Sequence, residues 1–147
     1  MTIIAWDGYT LAADKRAIAA GLILTTTKIF RVGESLVGYA GNADLGEELL
    51  AWFRRGADPD KFPASARDKD EWPGLLVITP EGAILKYERT PYPLRFEDQK
   101  FAIGSGRDYA LMAMHLGKTA REAVLLTSVF DSGCGSEVDA LMLKEKA

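Results

Sequence analysis

Apolar and polar positions alternate with a period of two in short runs, change to a helical period, and repeat that change later in the chain. Residues 2–6 and 9–13 read as strands flanking Asp7-Gly8, a pair that favours a tight hairpin because both central positions of the preferred turn need positive φ. Residues 28–32 and 36–40 form a second strand pair about Gly33-Glu34. Asn42 then caps a helix that carries Leu45, Leu49, Trp52 and Phe53 on one face and stops near Gly56.

Residues 58–73 mix three prolines with many charged side chains and show no apolar period, which predicts a surface excursion with at most a short helix. Strands at 75–79 and 83–88 flank Pro80-Glu81-Gly82, and another at 99–103 runs into Gly104-Ser105-Gly106. A helix over 107–116 ends at Gly117, Thr119-Ala120-Arg121-Glu122 forms a capping box that starts a helix toward Phe130, and 138–143 closes as a strand. Four strands, a helix, three strands, two helices and a strand do not alternate as a doubly wound parallel sheet requires. The order predicts an α+β, four-layer αββα sandwich: two antiparallel sheets face to face with helical layers outside.

A length of 147 residues is near the modal domain size, so a single domain over 1–147 is expected. Hydrophobic residues at 48% and charged residues at 27% match an ordinary globular chain. The net charge of −3 offers no long-range attraction for nucleic acid or an anionic membrane surface, and neither is expected as a partner. The single cysteine, Cys134, excludes an internal disulfide and a cysteine-cluster zinc site, and the single histidine, His115, removes His-pair metal motifs. No cofactor is expected, and no particular metal is indicated. No apolar run approaches the ~20 residues that span a bilayer, and a basic leader is missing, so a reducing, cytoplasmic location is expected.

Thr2 directly follows Met1 and opens the apolar run of the first strand. If Met1 is removed, one residue carries both a hydroxyl nucleophile and a free amine as its base. Five further segments stand out along the chain. They are 7–17 (Asp-Gly-Tyr-Thr-Leu-Ala-Ala-Asp-Lys-Arg-Ala), Thr27-Lys28-Ile29-Phe30, Tyr39-Ala40-Gly41, Ile103-Gly104-Ser105-Gly106 and Asp131-Ser132-Gly133-Cys134-Gly135. Each is weak alone, and Asp14-Lys15-Arg16 as a solvated turn, Lys28 as an edge charge or Ser105 as a helix cap would explain it separately. A phosphate loop at 104–106 lacks both a third fingerprint glycine and a Walker lysine, and the Gly-x-Ser-x-Gly elbow of a Ser105 hydrolase is missing. His115 reads as a helix-edge residue, and Met112 and Met114 as core and rim filling.

Taken in order, the five segments resemble the proteasome β-type, HslV-like family of N-terminal nucleophile (Ntn) hydrolases over nearly the whole chain. The resemblance implies a threonine endopeptidase that hydrolyses amides through an acyl-enzyme ester. It assigns Thr2 as nucleophile, Lys28 as the nearby cation, Asp14 as its partner, and Ser105 and Asp131 as groups orienting the amine or a water. The Gly41 N–H would face the oxyanion, Cys134 would support the amine where the family usually has serine or threonine, and Ala17, Ile18 and Tyr39 would line the specificity pocket. It further implies a homo-oligomeric ring, unfolded proteins or peptides as substrates, and an ATP-dependent unfoldase as a partner class. Two departures stand out: Ile3 replaces a second threonine, and 58–73 is short for the family's second helix. The alternative is a catalytically inactive scaffold or binding protein that keeps Met1, in a register where Met1 takes the nucleophile position.

Overall fold

The computed structural model describes residues 1–64 and 74–144. Eleven strands and three α-helices are found among them. The first hairpin pairs β1 (Ile3–Trp6) with β2 (Thr10–Asp14), and the chain then forms β3 (Arg16–Ala19), β4 (Leu22–Thr25), β5 (Ile29–Val32) and β6 (Ser35–Ala40). Helix α1 (Ala43–Arg54) and a 3-10 turn (Pro59–Lys61) precede β7 (Gly74–Ile78), β8 (Ile84–Tyr87), β9 (Leu94–Phe96) and β10 (Phe101–Gly104). Helices α2 (Arg107–His115) and α3 (Ala120–Phe130) lead to β11 (Val138–Met142).

The strands order as β10-β1-β2-β11 in one sheet and β5-β6-β7-β8-β9 in the other, every neighbouring pair antiparallel. Alternation along β1 places its side chains in two different layers. Ile4 and Trp6 join Leu11, Ala13, Ile29, Leu36, Leu76 and Ile78 between the sheets, whereas Ile3 and Ala5 join Ala110, Met114, Ala123 and Val124 under α2 and α3. On the far side, Val37, Leu75 and Val77 of the second sheet pack beneath Leu49, Leu50 and Trp52 of α1. This is the four-layer αββα sandwich expected from the element order. No helix among the described residues is long and apolar enough to cross a membrane.

Both expected caps form. The Asn42 side chain accepts from the N–H groups of Asp44 and Leu45, at 3.0 and 3.2 Å, and Thr119 and Glu122 complete a capping box. Four local features go beyond or differ from the sequence reading. The chain between β2 and β5, to which the sequence pattern assigned no element, forms the β3–β4 hairpin, turning through Ala20 and Gly21 at φ of 50° and 77°. The short edge strand β9 had no periodic signal after Pro91 and Pro93. The first hairpin turns through a longer loop in which only Gly8 has positive φ. The Asp7 carboxylate fills that loop, accepting from the N–H groups of Tyr9 and Thr10 and, across the molecule, from Ala120 at the start of α3. At α2, Gly106 is the N-cap without a side-chain bond, leaving the Ser105 hydroxyl for another partner.

Within the polar excursion, the 3-10 turn brings Phe62 edge-on to Trp52, whose indole N–H donates to the Asp58 carbonyl. The rest of the excursion, 65–73, lies outside the described residues. His115 ends α2 exposed, Met114 is in the core and Met112 is exposed at the rim.

Candidate active site

Asp14, the last residue of β2, is fully buried. Its carboxylate accepts from the N–H groups of Ile3 (3.1 Å), Arg16 (3.1 Å) and Gly135 (3.0 Å), and from Lys28 Nζ through both oxygens, at 2.9 and 3.0 Å. Lys28 immediately precedes β5, so the ion pair joins the two sheets where β2 ends and β5 begins. A buried pair is tolerable only when its remaining lone pairs and protons are met, and here three backbone donors complete Asp14. Lys28 Nζ spends a further proton on the Met1 carbonyl, 3.1 Å away.

Ser105 and Asp131 form the opposite half. Gly104, at φ of 102°, leaves β10 so close to the Thr2 carbonyl that a Cβ there would collide with it. That close approach brings the next two residues against the first strand. Ser105 Oγ lies 3.4 Å from the Thr2 carbonyl and donates to Asp131 Oδ2 at 3.0 Å, while the Gly106 N–H also reaches the Thr2 carbonyl at 3.3 Å. Asp131 follows α3 and accepts from the Gly133 N–H at 2.9 Å. Partial desolvation works to raise its pKa. The donors from Gly133, Ser105 and Cys134, with the positive amino terminus nearby, outweigh it and hold the carboxyl below its ordinary value. Cys134 is buried, and burial together with the Asp14 and Asp131 carboxylates pushes its thiol up to about 12.

Thr2 lies between these halves, held through its carbonyl, and its hydroxyl makes no hydrogen bond among the described residues. Met1 stands over the same place, its side chain packed where Gly133 leaves no room for a Cβ. Gly41, at φ of 103°, follows β6 and shares one groove with Ser105, Lys86 and Arg107. Tyr39 turns toward α1. Its ring lies against Gly46 and its hydroxyl donates to Glu47 Oε1 at 2.6 Å; burial and then the Glu47 contact raise the phenol pKa above its ordinary value. Ala17 is half-buried on β3, and Ile18 is 54% exposed on the same strand. One residue lay in a matched segment but was given no role there: Arg16, whose Nη1 donates to the Ser132 carbonyl at 2.9 Å. Among the described residues, no group of three His, Cys, Asp or Glu side chains is arranged to hold a metal ion.

No protein-family model matches the sequence, and no curated protein is significantly similar to it. Solved structures do match. Thiobacillus denitrificans BPH in complex with epoxomicin superposes with a TM-score of 0.72 at 22% identity, over 97% of this chain and 97% of that one. BPH from the same organism, in a second structure, gives 0.67 at 21% identity over 97% of each chain. HslV from Trypanosoma brucei gives 0.67 at 19% identity, over 96% of this chain and 97% of that one. The fold is HslV-like. The sandwich brings the ends of β2 and β10, the start of β5 and the segment after α3 together around the amino terminus.

Proposed function

We propose that the chain is an N-terminal threonine peptidase that cuts amide bonds of unfolded or short peptide chains within a homo-oligomeric ring. The carrying observation is the Lys28 ammonium, bound to both oxygens of buried Asp14 and to the Met1 carbonyl. That carbonyl belongs to the bond whose cleavage frees the Thr2 amine. An α-amine has an ordinary pKa of about 7.7–8.0, and a cation beside it favours the unprotonated form.

The freed amine takes the Thr2 hydroxyl proton directly or through a water, and Oγ attacks the substrate carbonyl. The Gly41 N–H faces the resulting oxyanion. Collapse expels the leaving amine, which receives the proton from the α-ammonium. The ester that remains on Thr2 is then hydrolysed by a water that the same amine activates. Lys28, fixed by Asp14, supplies the positive charge, and Ser105 with Asp131 orients the amine or the water. Cys134 backs this pair, and Ala17, Ile18 and Tyr39 act on the specificity side. An ATP-dependent unfoldase would supply extended chains to such a ring.

A second reading, a scaffold that keeps Met1 and does not catalyse, draws support from the packing of Met1 on Gly133 and the unbonded Thr2 hydroxyl. Thr2→Ala separates the two. Hydrolysis of a fluorogenic peptide amide by the wild-type protein should drop to the uncatalysed background in the variant, with assembly unchanged by sedimentation. Equal hydrolysis by the two proteins would remove Thr2 from the mechanism.

A further inference from the structure

We propose that Arg16 is a positioning residue that latches the loop over residues 131–135 in the geometry both halves of the site require. Its consequence for turnover rests on the peptidase reading above; the latch itself does not.

One loop serves both halves. At its start Asp131 accepts from Ser105, and at its end the Gly135 N–H donates to Asp14. Between them the loop is folded on itself by the Gly133 N–H to Asp131 Oδ1 and the Cys134 N–H to the Asp131 carbonyl. Those bonds set its shape but do not tie its crest to the sandwich. Arg16 Nη1 does so, donating to the Ser132 carbonyl at 2.9 Å from a residue 116 positions away.

Arg16 is itself fixed at the site. Its N–H donates to Asp14 Oδ2, and its Cβ lies so close to Gly135 that a side chain there would press on it. The arginine therefore reaches the loop twice, with its stem on Gly135 and its guanidinium on Ser132. The guanidinium makes no ion pair among the described residues, so the carbonyl bond is its specific engagement. A small displacement of Asp131 would move Ser105, and small misplacements at a catalytic centre are costly in rate.

Cys134 provides a reporter inside the loop. It is the chain's only cysteine and is 1% exposed, so iodoacetamide labelling of the whole protein reads the opening of this one segment. Arg16→Met keeps the apolar stem and removes the donor. It should label about tenfold faster than wild type, with kcat for a peptide amide lowered about tenfold and KM unchanged. Arg16→Lys, which retains a donor, should fall between them, and it replaces Arg16→Met if that variant does not fold. Lys15→Met, which loses only the 3.4 Å pair with Asp139, should label at the wild-type rate.

Wild-type labelling in the arginine variants, or equally fast labelling in Lys15→Met, would overturn the latch. Faster labelling with unchanged kcat would overturn the positioning role. A wild-type protein that hydrolyses nothing would instead defeat the peptidase reading, and the labelling rates would still decide the latch.

Discussion

Asp14 and Lys28 meet at strand ends of two sheets, with side chains 0% and 7% exposed, whereas Ser105 and Asp131 meet between two loops in an exposed hydrogen bond. The first pair is held by backbone: three N–H groups converge on Asp14, and those N–H groups belong to β1, β3 and the loop after α3. The second pair is held by side-chain contacts and a short folded loop. The difference separates an ion pair buried within the fold from a hydrogen bond that a surface loop holds in place. Burial makes the Asp14–Lys28 contact part of the fold's stability, so its geometry cannot drift without cost. The Ser105–Asp131 contact is open to solvent and contributes little to stability, so its geometry depends on the loop that carries Asp131.

The largest effects should fall on the buried half. Asp14→Ala leaves an ammonium and three backbone N–H groups without their acceptor, and should cost about 3–5 kcal/mol in urea unfolding. Lys28→Met leaves a carboxylate that three N–H groups still satisfy, and should cost less, about 2–3 kcal/mol. Equal or reversed costs would break the view that backbone donors anchor Asp14. On the open half, Ser105→Ala should change stability by less than about 1 kcal/mol while lowering peptide hydrolysis roughly 10–100-fold. A large loss of stability with intact hydrolysis would erase the contrast between the halves.

A smaller, pH-dependent effect sharpens it further. The Cys134 thiol is pushed up to about 12 in the folded chain, by burial first and then by two carboxylates. An unfolded thiol titrates near 8.5, so between these values the unfolded chain releases a proton that the folded chain keeps. Stability is therefore fully present below the unfolded value and declines as pH rises toward 12, by up to about 1.4 kcal/mol per pH unit. Cys134→Ser should lack this alkaline decline in unfolding measured from pH 8 upward. An identical decline in the two proteins would assign it to other groups.

Much of the fold is legible because its strands alternate and its turns and caps are chemically marked. Asn42 and the Thr119–Glu122 box fix two helix starts by themselves. The β3–β4 hairpin escapes such reading. Its apolar residues Leu22, Ile23 and Leu24 are consecutive and exposed, and its turn uses an alanine at positive φ, which alanine rarely adopts. The candidate site was read as residue types in the order of a family resemblance, and the structure brings Asp14 to Lys28 and Ser105 to Asp131. What was not legible was contact at long separation. Asp7 tying the first hairpin to α3, and Arg16 reaching the loop after α3, depend on tertiary placement that no local pattern encodes. Ser105 illustrates the competition directly: as a cap it would have bonded its own helix, but the nearby carboxylate of Asp131 takes the hydroxyl.

The central claim is that Thr2, once freed, carries nucleophile and base together. Intact mass of the purified protein, with and without a peptide epoxyketone, tests it most directly, because the stable ring adduct needs both a threonine hydroxyl and a free α-amine. The account predicts a one-to-one adduct on the species that has lost Met1 and none on Thr2→Ala. A protein that has lost Met1 and still forms no adduct would contradict it.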